Sequence, residues 1–215
     1  MAAAAQRDTI RRLLKVAGAS YCRQAGIRLA DTPAPLYQLL VLAGLLSTRI
    51  SSPIAVAAAH ELFTAGCTTP QRMLRASWQD RVDALGRGHY RRYDESTATR
   101  LGTGAQLLLD RYAGDLRKLA ERAGYQAEPV AELLQEFPGI GPLGAAIYLR
   151  EAQAVWSWAQ PYLDSRAARA AEQFGLPHTA RGLASAVGTA DLSRISAALL
   201  QAATNREVRA QVLQR

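Results

Sequence analysis

The sequence predicts an all-α fold, on three observations. Apolar residues recur mostly at three- and four-residue spacings, and no stretch sustains the alternation of a strand. The composition is 49% apolar but only 7% aromatic, with alanine and leucine dominant, which suits packed helices. Glycines and prolines fall between the periodic stretches, where a helical chain needs its breaks.

The elements follow in order. Residues 6–25 place Ile10, Leu13, Leu14, Ala17 and Tyr21 on a helical stripe. Asp31-Thr32-Pro33-Ala34-Pro35 forces a break. PLYQLLVLAGLLSTRI then begins a helix apolar on nearly every side, which implies burial all round. Ser51-Ser52-Pro53 is a start signal for a helix over Ile54–Ala65, with proline in the first turn. Residues 70–85, 94–112 and 114–124 read as further helices, punctuated by Gly86, Gly88 and Gly114. A helix from Asp164 to Phe174 stops at Gly175 and Pro177, and two more complete the chain.

A chain of 215 residues has room for one large domain or two small ones. The apolar stretch around Leu36–Leu46 is too short to span a bilayer, so no membrane role is expected. Residues 1–20 lack the basic start and apolar core of a signal peptide. Cys22 and Cys67 are the only cysteines, which supports neither a disulfide framework nor a metal site; a reduced cytoplasmic setting is expected. The net charge of +8 comes almost wholly from arginine, since Lys15 and Lys118 are the only lysines. Such a surplus favours a polyanionic partner, although a solvated basic surface explains the charge equally well.

LLQEFPGIGPLGAAIYLREA, residues 133–152, interrupts two helical runs with a turn of Phe137-Pro138-Gly139-Ile140-Gly141. Glycine lacks a Cβ, so at Gly139 and Gly141 the backbone can take positive φ and approach another molecule closely. The following helix then presents free N–H groups and a positive dipole end. Backbone alone thus makes a phosphate-sized anion site, blind to base sequence. Ile140 is expected to turn inward and pin the turn to the core. An ordinary glycine-capped connection between antiparallel helices is the plainer alternative.

The string L-x-x-F-P-G-I-G-x-x-x-A-A resembles the helix-hairpin-helix DNA glycosylases, the superfamily of endonuclease III and the alkylated-base glycosylases. Residues 130–150 match the hairpin motif, and Asp164, 23 residues after Gly141, matches the family's essential aspartate. Leu45-Leu46-Ser47-Thr48-Arg49, followed by Ser51, is similar to the loop that carries the family's wedge residue. The resemblance spans roughly residues 30–175. It implies two helical subdomains, one over 30–150 and one combining 1–29 with 151–215, with double-stranded DNA carrying a damaged or mismatched base held in the cleft between them. It also implies a monomer in the cytoplasm, associated with the nucleoid. Pro138, Gly139, Ile140, Gly141 and Gly144 would meet the DNA backbone. Trp156, Trp158 and Tyr162 would line the pocket for a flipped base, an extrusion that chemistry on a stacked base requires; core packing is the alternative. Tyr90 and Tyr93 are fainter candidates.

Breaking an N-glycosidic bond builds positive charge on the sugar, which a carboxylate at Asp164 would stabilise while orienting a water. An aspartate before Ser-Arg-Ala-Ala-Arg-Ala is also a good helix N-cap, and one residue can do both. Members that also cut the backbone use a lysine two residues after the second hairpin glycine; here that position is Leu143. The four-cysteine iron–sulfur motif of many relatives is missing, so no cofactor and no metal are expected. The resemblance therefore implies a monofunctional glycosylase. Arg49 stands at the wedge position, filling the gap left by a flipped base or contacting phosphate from a solvated loop. Arg91 and Arg92 are further candidate phosphate contacts, and His89 and His178 are given no chemistry. Two other functions compete: a DNA-binding protein that kept the hairpin without the chemistry, and a helical protein-interaction module.

Overall fold

A computed structural model describes the backbone of residues 2–214 and the side chains of residues 4–214. Every regular element among them is helical, as the sequence predicts. In chain order the helices are α1 (Ala2–Ala17), α2 (Tyr21–Gln24), α3 (Pro33–Leu46), α4 (Ser52–Thr64), α5 (Pro70–Arg75), α6 (Trp78–Arg87) and α7 (Asp94–Tyr112). There follow α8 (Leu116–Arg122), α9 (Ala127–Leu134), α10 (Pro142–Ala152), α11 (Ser165–Gln173), α12 (Ala180–Val187), α13 (Leu192–Thr204) and α14 (Arg206–Leu213).

The chain divides into two compact units: a continuous one, Cys22–Trp158, and a split one made of the residues up to Tyr21 and those from Ala159 onward. The continuous unit reaches beyond residues 30–150 at both ends, and specific bonds explain why. The Cys22 N–H donates to Glu151 Oε2 at 3.2 Å, and the Trp156 indole N–H donates to Asp31 Oδ1 at 2.9 Å.

Helix α3 is the axis of the continuous unit. Pro33 and Pro35 lie in its first turn, where a missing N–H costs nothing, so the expected break is the helix start itself. Leu36, Leu39, Leu42, Ala43 and Leu45 are almost wholly buried, and α4 and α10 pack against the helix. The helix expected over 70–85 is divided. Ser77 makes a reciprocal capping box with Asp80, which satisfies the first amides of α6 and ends α5 before it.

The split unit packs α1 against α13 and α14, and α11 and α12 against α13. Ile10, Leu13, Phe174, Leu183, Ile195 and Leu199 fill its core. The helix expected over 6–25 stops at Ala17, and Gly18 then takes a course in which a Cβ would stand 2.1 Å from the Leu14 carbonyl oxygen, so the exit needs glycine. Beyond Pro177 three helices form rather than two. Asn205 Oδ1 accepts from the N–H groups of Glu207 and Val208 and starts α14 anew.

Among the described residues no helix is long and apolar enough to cross a membrane, and no group of three or more His, Cys, Asp or Glu is placed to hold a metal ion.

Candidate nucleic-acid interface

Three segments singled out in the sequence meet within the continuous unit. The first is the turn between α9 and α10. The Ile140 N–H donates to the Phe137 carbonyl at 2.9 Å, Pro138 follows Phe137, and Gly139 has φ of 88°, the pattern of a type II turn. Glycine at 139 is thus required by the backbone itself. Phe137 is buried and stacks with Tyr112, with centroids 6.3 Å apart. Ile140 is buried as well; its Cδ1 lies 3.4 Å from where a Gly44 Cβ would be, and its Cγ2 3.3 Å from where a Gly144 Cβ would be.

Gly141 differs from the expectation of positive φ. Its φ of −99° and ψ of −170° are open to any residue, and a Cβ there would meet nothing within 4 Å. Neither strain nor crowding explains this glycine. It is the N-cap of α10 and offers no side chain to the helix. Among the described residues no acceptor takes the N–H groups of Gly141, Leu143 or Gly144, and Pro142 has none to give. Gly144 itself lies against Ile140 and Ser47, so its small size serves packing.

The second segment is the turn after α3. Ser47 Oγ bonds the Gly44 carbonyl at 2.8 Å and stands 3.5 Å from the Gly139 carbonyl, which seats this turn beside the hairpin. Arg49 is exposed there, with no ion pair or hydrogen bond among the described residues. The third segment runs from Gly88 to Tyr93. The Tyr90 hydroxyl donates to Thr48 Oγ1 at 3.1 Å, tying this loop to the Arg49 turn. Tyr90 is fully buried, so it is a core residue and not the pocket candidate it was in the sequence. Arg91 and Arg92 are exposed, and the Arg92 guanidinium lies 5.3 Å from the Tyr93 ring centre.

The aromatic pocket candidates are divided between the units. Trp156 and Trp158 stack at 4.9 Å in the continuous unit, while Tyr162 belongs to the split unit. Trp156 is only 2% exposed, with Tyr148 5.5 Å away and its N–H held by Asp31, so it is spent on the core. Trp158 is half-buried and meets Tyr125 edge-on at 5.9 Å. Burial and neighbouring Glu151 push the Cys22 thiol well up, which rules against a thiolate nucleophile there.

In the split unit, Asp164 is 6% exposed and is the N-cap of α11. Its Oδ1 accepts from the N–H groups of Arg166 at 2.9 Å and Ala167 at 3.1 Å. The carboxylate is therefore fixed in position. Sequence reasoning missed Arg100 in α7, whose Cδ lies 3.2 Å from where a Gly139 Cβ would stand. Nothing local marks it, because the two residues are 39 apart in the chain.

No protein-family profile and no curated protein matches this chain. Among solved structures it is similar to a chain described as a trapped endonuclease III–DNA covalent intermediate, in an estranged-adenine complex. The two are 14% identical with a TM-score of 0.46, over 91% of this chain and 84% of that one.

Proposed function

We propose that this protein is a monofunctional DNA glycosylase, which binds duplex DNA through the turn at 137–141 and removes a damaged or mismatched base. The observation that carries the DNA-binding reading is the start of α10. A glycine without a conformational or packing reason leaves three backbone N–H groups unclaimed beside a buried isoleucine anchor. A phosphate oxygen is the acceptor that suits such a row of amides at a positive dipole end. Exposed Arg49, Arg91 and Arg92 add the charge that backbone contacts lack.

Asp164 is assigned the chemistry. Two N–H donors hold its Oδ1, so the carboxylate would need little reorganisation as positive charge grows on the sugar. Leu143 stands where the lyase members of the resembled family carry an amine, so water is proposed as the nucleophile. Arg49 is proposed as the wedge, and Trp158 as a pocket aromatic.

The same geometry favours a second reading. An aspartate occupied as a cap is fully explained by structure, which suits a DNA-binding protein without catalysis. Asp164→Asn separates the two, because asparagine caps as well as aspartate but carries no charge. With a panel of lesion-bearing duplexes and alkali treatment, base release should fall by about two to three orders of magnitude while the melting temperature holds. Equal release by both forms, or none by the wild type on any lesion, overturns the enzymatic reading.

A further inference from the structure

The continuous unit places its binding turn in an acidic setting. Between Ala123 and Leu149 there is no lysine or arginine, but there are three glutamates, Glu128, Glu132 and Glu136. All three are exposed, and Glu136 is paired with Arg111 of α7. On a chain of net charge +8, the stretch proposed to meet a polyanion is itself negative. Glutamates within a Debye length of a bound phosphate repel it, an effect that backbone amides only partly offset.

Arg100 stands where this deficit can be met. It is exposed on α7, about three turns before Arg111, which pairs with Glu136. Its Cδ lies 3.2 Å and its Nη1 4.0 Å from where a Gly139 Cβ would stand, so the side chain is laid across the bare face of the glycine. It has no ion pair or hydrogen bond among the described residues. With Pro138 and Gly139 it lines a small pocket between α3, α7 and the turn. A stem packed on the turn keeps the guanidinium nearby and reduces the entropy lost when it is used. A Cβ at 139 would crowd that stem by a few tenths of an ångström, so the glycine leaves room for the arginine as well as making the turn.

We infer that Arg100 is the cation of the hairpin, and that it contacts the DNA phosphate next to the one held by the backbone amides. The inference rests on the DNA-binding reading above. Binding of an undamaged duplex, followed by fluorescence anisotropy from about 50 to 200 mM salt, tests it. Arg100→Met keeps the packed stem and removes the charge; its log–log salt slope should be shallower by about 0.9, the release from one phosphate. Affinity should fall about three- to tenfold with no change in melting temperature. Arg100→Lys should restore the slope. A wild-type protein that binds with a clear salt slope which Arg100→Met leaves unchanged overturns the role of Arg100 alone. A wild type that does not bind duplex overturns this role and the DNA-binding reading together.

Discussion

Helix α10 starts at Gly141, which has no side chain to offer its first amides, whereas α11 starts at Asp164, whose carboxylate holds two of them. The same need, unsatisfied N–H groups at a helix start, is met within the protein in one case and left to the outside in the other. An open start offers amides to an acceptor from outside; a closed start holds a carboxylate still. The two helices therefore divide the proposed work, with recognition at the open end and chemistry at the closed one.

Exchanging features between the two starts tests that division. The largest effect is expected from Ile140→Ala, which removes the anchor under the open start. Deleting a buried isoleucine costs about 2–5 kcal/mol. Chemical denaturation should show the loss, and duplex binding should weaken with it as the turn loses its seat. Asp164→Ala, which uncaps α11, should cost about 0.5–2 kcal/mol by the same measurement, a loss that Asp164→Asn avoids. The smallest effect on stability belongs to Gly141→Ser, which closes the open start. The backbone there already has a cap conformation with room for a Cβ, so stability should rise by a few tenths of a kcal/mol. Duplex affinity should nevertheless fall by up to about tenfold, as the serine hydroxyl takes an amide from the phosphate. Unchanged affinity in Gly141→Ser would mean that α10 is open without being used.

What could be read from the sequence was whatever depends on near neighbours. Helix α7 has the predicted ends, 94 and 112, because the Gly88 region and Gly114 bound a single periodic run. The turn at 137–141 was legible because proline and glycine carry their backbone preference with them. Ser77 and Asn205 were harder: both lie inside apolar periodicity, and only the hydrogen bonds they make turn them into helix starts. The fate of Trp156 depends on Asp31, 125 residues earlier, and the stem of Arg100 comes to lie against Gly139 from 39 residues away. Such pairings are set by how helices pack. For the same reason Gly141 and Gly144 look alike in the sequence, yet one faces open space and the other receives Ile140.

The interrupted make-up of the split unit bears on the order of events during synthesis. Cys22–Trp158 leaves the ribosome as one uninterrupted stretch and can fold as soon as it has emerged. Helix α1 is made before it, but its partners α13 and α14 come last; Gln201 reaches the Ala17 carbonyl across 184 residues of chain. At 5–20 residues per second that separation is a wait of roughly 10–40 s. Throughout it, the apolar stripe of Ile10, Leu13 and Ala17 is without its native cover. The finished hairpin would thus be present on the nascent chain well before Asp164 has a completed unit to sit in.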